Sequence, residues 1–529
     1  MGILPLIPGA SNPLCETIHV ATQPNPMIQP NQWRALALGT FLCALASCCA
    51  SDASPTEDAQ RPPNIVFFMA DDLGYGEVGA YGQELIPTPN IDSLARDGML
   101  FTNHYSGSPV CAPSRCVLLT GLHTGHSEVR NNWENGGWGQ DQPEGQWPLA
   151  PNTQTLARVL QAKGYATGGV GKWGLGGPGT TGAPENQGFD HFSGYLCQRI
   201  AHNHYPTHLW RDGERVELEG NEWVDSHQKL KEPLDTEDEY WERYNGATYA
   251  HDVMLADAVS FVREHKDEPF FLYYASPIPH ASLQAPPEDL DAFPREWDQE
   301  HYLGNKGYLP HPRPRAAYAA MVAHLDREVG SVLATLDELG LRDNTIVVFT
   351  SDNGPTFNGG TDSTFFNSAA GMRGLKCSVY EGGLKVPTLV RWPKHVTAGS
   401  ASDLPSAFQD WMPTLLEIAQ VPSPTGLDGI SLLPTLEGAG EQAKHESLYF
   451  EYGGQQALRA GRWKAVRRKL RKDNLVTELY DLEADPKESK DLADQEPEVL
   501  ARMVGLLNSS RSPSTIFPLP GIDPQAKKK

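Results

Sequence analysis

Pro63-Asn64-Ile65-Val66-Phe67-Phe68-Met69-Ala70-Asp71-Asp72 is the stretch from which the architecture can be read. Its apolar run is nearly continuous, too short for a helix and rich in branched and aromatic residues, so it reads as a buried central strand. Two carboxylates follow at its C-terminal end. A second segment, Thr345-Ile346-Val347-Val348-Phe349-Thr350-Ser351, repeats the pattern and ends in Asp352-Asn353-Gly354. Ahead of it Met321, Leu325, Val329, Val332, Leu336 and Leu339 recur at helical spacing and Gly340 supplies a stop, so a helix feeds this strand. A third run, Phe270 to Tyr274, leads into Pro277-Ile278-Pro279-His280. Strands that alternate with helices and deliver polar residues at their C-terminal ends describe an α/β sheet with its site along that edge.

After about residue 440 the texture changes. Ser447 to Tyr452, Ala457 to Arg459, Trp463 to Val466 and Thr477 to Tyr480 are short strand candidates separated by turns. They predict a small antiparallel sheet, with a helix over Glu496 to Leu507 packed on it. The domain boundaries that follow are a catalytic domain over 63–440, a C-terminal subdomain over 441–515 and a disordered tail over 516–529, ending in Lys527, Lys528 and Lys529. Upstream, Arg34 precedes an apolar stretch from Ala35 to Ala46, and Leu45-Ala46-Ser47-Cys48 resembles a bacterial lipoprotein signal with Cys48 as the lipidated residue. An ordinary cleaved signal is the alternative, and both readings imply export. If translation starts at Met27, residues 1–26 are an upstream extension; residues 49–62 read as a flexible linker.

The chain has 529 residues, with 43 basic and 66 acidic ones giving a net charge of -23, which argues against nucleic-acid binding by electrostatic repulsion. A few cations converging in one cleft would still bind an anion. Four of the eight cysteines lie in the leader; the body holds Cys111, Cys116, Cys197 and Cys377, with no CxxC pair and no Cys/His ligand spacing. That pattern fits neither a disulfide framework nor a thiolate zinc site.

Cys111-Ala112-Pro113-Ser114-Arg115, followed by Leu119-Thr120-Gly121, resembles the signature of the type I sulfatases, in which the cysteine is oxidised to formylglycine. Partner motifs stand along the chain from Pro63 to about Ala493. They are Ala70-Asp71-Asp72-Leu73-Gly74-Tyr75-Gly76, Gly171-Lys172-Trp173, Pro279-His280, Thr350-Ser351-Asp352-Asn353-Gly354, Lys376 ahead of Glu381-Gly382-Gly383, and Glu478-Leu479-Tyr480-Asp481-Leu482 before Asp485-Pro486. The resemblance implies an alkaline-phosphatase-like fold, a large mixed sheet flanked by helices with a smaller C-terminal antiparallel sheet. It implies hydrolysis of an organic sulfate ester with release of inorganic sulfate, and a formylglycine-generating enzyme as maturation partner.

Sulfate esters resist attack because their anionic oxygens repel a nucleophile, so catalysis needs charge neutralisation and an oriented nucleophile. Asp71, Asp72, Asp352 and Asn353 form a hard oxygen set suited to calcium or magnesium. The resemblance implies one calcium ion, with residue 111 completing its coordination. It also implies that one hydroxyl of the hydrated aldehyde attacks sulfur and the second expels sulfate, regenerating the aldehyde. Arg115, Lys172 and Lys376 would complement the sulfate oxygens, and His280, with or without Lys376, would protonate the leaving alcohol. Taken singly, Lys172, Lys376 and His280 are more often surface or structural residues, the two aspartates make common turn caps and a lone cysteine is usually inert; their motif positions reverse that reading.

One departure stands out. Many family members have Lys-Trp-His where this chain has Lys172-Trp173-Gly174, and in them the histidine contacts the aldehyde hydrate. Candidate replacements are His123, His126, His202, His204 and His208. Export and the aromatics Trp210, Trp223, Tyr240 and Trp241 point to a sulfated carbohydrate, since aromatic faces bind sugar rings, although each is more often packing. The alternatives are a phosphonate or phosphate ester hydrolase of the same superfamily, and a catalytically impaired lipoprotein that binds sulfated glycans.

Overall fold

Alternation along the first strand explains why its apolar run is unbroken. In the computed structural model, which describes residues 61–523 apart from positions 138, 141, 143 and 473, Val66, Phe68 and Ala70 join one core and Ile65, Phe67 and Met69 join another. Both faces of Asn64–Ala70 are therefore covered, as a central parallel strand requires. The helices Ala250–Glu264 and Pro314–Glu338 contribute to the first core, and Cys111–Thr120, Leu156–Gln161 and Trp411–Ile418 to the second. The leader, the lipid-anchor cysteine, residues 49–60 of the linker and residues 524–529 of the tail lie outside the described residues.

The main sheet has ten strands. Its order is Ser400–Ser402, Met99–Phe101, Thr388–Arg391, Thr345–Ser351, Asn64–Ala70, Phe270–Ala275, Ala166–Lys172, His191–Tyr195, His208–Arg211 and Glu214–Glu217. The five strands from Thr345–Ser351 to His191–Tyr195 are mutually parallel, while the antiparallel partners Thr388–Arg391 and His208–Arg211 flank them. The registers pair Ala70 with Ser351, Met69 with Ala275, Gly171 with Ala275 and Lys172 with Tyr195. Parallel strands in this register end at one level, so Asp71, Asp352, Lys172 and the segment after Ala275 leave the sheet at the same edge. Ala166–Lys172 carries Gly168 where a Cβ would lie 2.8 Å from the Phe261 ring, so the glycine admits the covering helix.

The C-terminal strands form a four-stranded antiparallel sheet, Leu448–Tyr452, Gln455–Ala460, Trp463–Arg467 and Thr477–Asp481, in sequential order. One face, with Leu458, Ala465 and Leu479, packs on Met503 and Leu507 of the helix Pro497–Ser509. The other, with Phe450, Ala457, Val466 and Tyr480, packs on Tyr105, Val379, Tyr380 and Leu384. The expected disordered tail is different over 516–523: Phe517 is buried, stacks near Trp133 (ring centroids 4.9 Å) and meets Trp147 edge-on, while Asp523 pairs with Arg511 at 2.6 Å. The segment is largely apolar, and burial of Phe517 and Leu519 docks it. Among the described residues no helix is long and apolar enough to cross a membrane.

A buried ion network joins the small sheet to the rest. Lys464 Nζ lies 2.8 Å from Glu381 Oε1 and 3.0 Å from Glu488 Oε1, and the Tyr105 hydroxyl donates to Glu381 Oε2 at 2.7 Å. Removing the cation leaves two carboxylates buried without it. Lys464→Met is expected to destabilise the protein by about 3–5 kcal/mol, read as a lower urea midpoint, and adding Glu381→Gln and Glu488→Gln should recover part of the loss.

Candidate active site

The signature helix Cys111–Thr120 begins at the reactive position. Pro113 is tolerated because first-turn N–H groups have no partner within the helix, and the Ala112 N–H donates instead to Asn132 Oδ1 at 2.9 Å. Arg115 stands one turn after Cys111, on the same face. Asp72 adopts a left-handed backbone (φ 67°), a conformation that Asp accepts more readily than most residues. Its N–H donates to Asp352 Oδ1 (3.2 Å) and the Leu73 N–H donates to Ser351 Oγ (2.9 Å), so the first strand end is locked onto the second.

Around Cys111 the predicted residues converge. Its Sγ lies 3.4 Å from Asp71 Oδ1, 3.6 Å from Lys172 Nζ and 3.5 Å from Lys376 Nζ. Lys172 also pairs with Asp71, and Lys376 Nζ lies 2.7 Å from Asp72 Oδ1. His280 Nε2 is 3.6 Å from Asp72 Oδ2. Arg115 reaches the same carboxylates: Nε and Nη2 donate to Asp352 Oδ2 at 3.1 and 2.8 Å, and Nη1 donates to the Lys172 carbonyl. The guanidinium is wholly buried against Asp352 and Asp71.

Ligand atoms of Asp71, Asp72, Cys111 and His280 all lie within 4.8 Å of one another. Asp352 is turned towards Arg115, and Asn353 donates through Nδ2 to Asp72 Oδ1 at 2.7 Å. Asn353 Oδ1 is buried without a hydrogen-bond partner. An orphaned amide oxygen beside three buried carboxylates is a donor set that fits a hard divalent cation.

The electrostatics are those of a crowded dry pocket. Burial drives the Asp71 carboxyl up, but Lys172, His280, Arg115 and Lys376 outweigh it and hold Asp71 well below the usual range. Burial pushes Asp72 and Asp352 up, with Asp71 adding to both. Burial, with Asp352 and Asp71 close by, pushes the Cys111 thiol far above its ordinary value.

Of the five histidines considered as replacements at position 174, one reaches this pocket. His202 stacks on His280, with centroids 4.6 Å apart and planes at 11°, and Tyr308 meets both edge-on. His123 and His126 sit beyond the far end of the ten-residue signature helix, about 15 Å along it from Cys111, where His126 Nδ1 lies 2.9 Å from Asp428 Oδ1. His208 is engaged by Glu144 at 2.8 Å, and His204 lies behind His280. At Gly174 the backbone is left-handed (φ 80°) and a Cβ would lie 2.7 Å from Gln198 Nε2, a buried atom without a hydrogen-bond partner. The Gln198 amide thus occupies the space that a side chain at 174 would enter.

The aromatics singled out from the sequence are mostly structural. Tyr240 is buried with Tyr244 and Leu309, Trp241 packs on His311 and Trp210 donates to Glu144 at 2.9 Å; Trp223 lines a cleft with Arg199 and Asn203. Two other large aromatics are exposed. Trp133, next to Asn132, is 38% exposed, and Phe357, four residues after Asn353, is 44% exposed. Both lie in irregular loops without periodicity, and the Asn131-Asn132 turn signal beside the signature was the one cue available for the first.

A central parallel sheet that gathers acidic residues from neighbouring strand ends against a helix N-terminus defines a hydrolase of the alkaline-phosphatase-like superfamily. Within it, the chain belongs to the sulfatase family, whose family model matches residues 63–421; a model of the N-sulphoglucosamine sulphohydrolase C-terminal region matches residues 375–511. It is similar to human (Homo sapiens) arylsulfatase A, 35% identical over 430 residues, covering 77% of this chain and 75% of the relative. Similarity to the N-acetylgalactosamine-6-O-sulfatase of Bacteroides thetaiotaomicron is 29% over 547 residues, covering 91% and 99%. The solved structure of Ps i-CgsB in complex with k-i-k-neocarrahexaose superposes with a TM-score of 0.68 at 27% identity, covering 85% of this chain and 94% of the other.

Restoring a histidine at 174 meets two obstacles, the left-handed backbone and Gln198. Gly174→His is expected to cost at least about 1–2 kcal/mol from the backbone alone, seen as a lower thermal midpoint. Adding Gln198→Gly should relieve the contact and leave the backbone part.

Proposed function

We propose that this sulfatase is exported and releases inorganic sulfate from a sulfated carbohydrate, using a formylglycine made from Cys111 and one calcium ion. The observation that carries the reading is the environment of Cys111, a buried helix N-terminus with Asp71, Lys172 and Lys376 within 3.6 Å of Sγ.

Asp71, Asp72, Asp352, Asn353 and residue 111 would hold the calcium, whose chemistry is to neutralise sulfuryl charge and favour ionisation of a hydroxyl bound to it. The aldehyde at 111 would supply, once hydrated, a hydroxyl nucleophile and the means of releasing sulfate afterwards. Arg115 keeps Asp352 and Asp71 aligned. Lys172 and Lys376, whose ammonium groups face position 111, complement the sulfate oxygens. His280 donates Nδ1–H to the Ala281 carbonyl, which leaves Nε2 for the leaving oxygen. An arriving sulfate monoanion beside the ring favours its protonated form, which then gives that proton to the alcohol.

A carbohydrate substrate is supported by the relatives: one is a bacterial N-acetylgalactosamine-6-O-sulfatase and another is bound to a neocarrahexaose. Trp133 and Phe357, exposed and close in sequence to Asn132 and Asn353, are candidate sugar-stacking faces. The leader and the bacterial relative support export, with Cys48 as lipid anchor and a formylglycine-generating enzyme as maturation partner.

Peptide mass spectrometry across Cys111 should find the aldehyde in protein from its native host, and unmodified cysteine there would refute the nucleophile. Sulfate release from a panel of sulfated saccharides should fall on calcium chelation and return on readdition. Turnover of phenolic esters alone would remove the carbohydrate proposal. For one alcohol presented as both esters, faster cleavage of the phosphate would favour a phosphate or phosphonate hydrolase, and tight glycan binding without release by aldehyde-bearing protein would favour the impaired binder. Cys48→Ala should move the protein from the membrane to the soluble fraction.

A further inference from the structure

Behind His280 runs a hydrogen-bonded chain that the reaction as described does not use. His204 Nε2 lies 2.9 Å from the His280 backbone carbonyl, His204 Nδ1 lies 2.9 Å from His251 Nε2, and His251 Nδ1 lies 3.1 Å from Glu328 Oε1. The second carboxyl oxygen, Glu328 Oε2, accepts from Ser276 Oγ at 2.8 Å. Glu328, His251 and His204 have no exposed surface, and Ser276 has 1%.

Counting hydrogens fixes the charge of this chain. A carbonyl only accepts, so His204 Nε2 carries a hydrogen. If His204 is neutral, its Nδ1 accepts from His251 Nε2–H. His251 Nδ1 then either accepts from a protonated Glu328 or, with His251 as imidazolium, donates to the carboxylate. If His204 is itself the imidazolium, the donors run towards an ionised Glu328. In every arrangement the three residues hold one proton more than two neutral rings and a carboxylate, and their total charge is zero. Neutrality is what a site without water demands. Burial pushes Glu328 up to about 7, despite His324, Ser276, Tyr274 and Arg327, and burial holds His204 down at about 3 and His251 well below its ordinary value. Glu328 is therefore the favoured bearer of the proton.

The chain also has a mechanical consequence. Ser276 opens the segment that follows the strand Phe270–Ala275, and His280 ends it. One carboxyl on the helix Pro314–Glu338 thus ties both ends of that segment, directly at Ser276 and through two imidazoles at His280. His202, two residues from His204, adds its ring to the face of His280.

We propose that Glu328, His251 and His204 are positioning residues, a neutral proton-retaining relay that holds His280 against the leaving oxygen of the substrate. The proposal rests on the reading of His280 as leaving-group acid, and the test separates the two. An acid matters for an alkyl or sugar sulfate and little for an aryl sulfate whose phenol leaves unaided. His280→Ala is expected to lower kcat about 10²–10⁴-fold on the sugar sulfate and to leave 4-nitrophenyl sulfate nearly unaffected. His251→Leu and Glu328→Leu are expected to show the same selectivity, at least about tenfold, with KM little changed. Glu328→Gln should recover most of that loss, because its amide N–H can donate to His251 while its oxygen accepts from Ser276. Equal losses on both esters for His251→Leu and Glu328→Leu, while His280→Ala discriminates, would overturn the relay; a His280→Ala variant that does not discriminate would overturn the acid. A second readout is independent of turnover and of the variants that fold poorly. Nitrogen-15 NMR of His204 and His251, together with an infrared protonated-carboxyl band lost in Glu328→Gln, counts the proton. Two neutral rings beside an ionised Glu328 would sink the proposal.

Discussion

Three carboxylates buried in one pocket are the constraint around which the molecule is organised. Asp71, Asp72 and Asp352 have no exposed surface and come from the ends of two adjacent parallel strands. Withdrawing each from water costs several kcal/mol, which cations in the same dry volume must offset. Arg115 comes from the signature helix, Lys172 from the end of a third strand and Lys376 from a loop whose N–H reaches the Pro355 carbonyl at 2.9 Å. Sheet register, helix placement and loop path are therefore tied to a single balance of charge. Two of these cations, Lys172 and Lys376, also face position 111, so part of the charge that holds the pocket together is the charge proposed to meet the sulfate.

Behind this charged layer lies a neutral one. The imidazoles of His204 and His251 and the Glu328 carboxyl link the sheet edge to the helix Pro314–Glu338 without adding net charge, which allows them to be wholly buried. Elsewhere the segment around Phe517 packs on Trp133. Gly174 belongs between these layers: its lack of a side chain is compensated by Gln198, which fills the space from a neighbouring segment.

Much of the fold was legible because burial leaves a mark on composition. Asn64–Ala70 and Thr345–Ser351 are covered on both faces and so read as unbroken apolar runs, and the amphipathic C-terminal strands alternate between a helix and the catalytic core. Ala166–Lys172 escaped notice although it is just as central. Its glycines carry no strand propensity and are there to admit Phe261 and the neighbouring backbone. The stretch 516–523 docks by burying Phe517 and Leu519, and its apolar residues are interrupted by Pro518, Pro520 and Gly521, so they show neither a helix nor a strand period.

The sequence alone determined the two acidic strand ends, the signature at Cys111 and the lysines and histidine that accompany it, because contiguous motifs record local chemistry. It also exposed the absence of a histidine at 174. What stands in that space, which of five histidines stacks on His280, why Arg115 serves the carboxylates and how Glu328 reaches His280 were decided only by tertiary structure. Those relations join residues separated by tens to hundreds of positions, and a one-dimensional pattern carries no signal for a contact that depends on where two distant backbones cross.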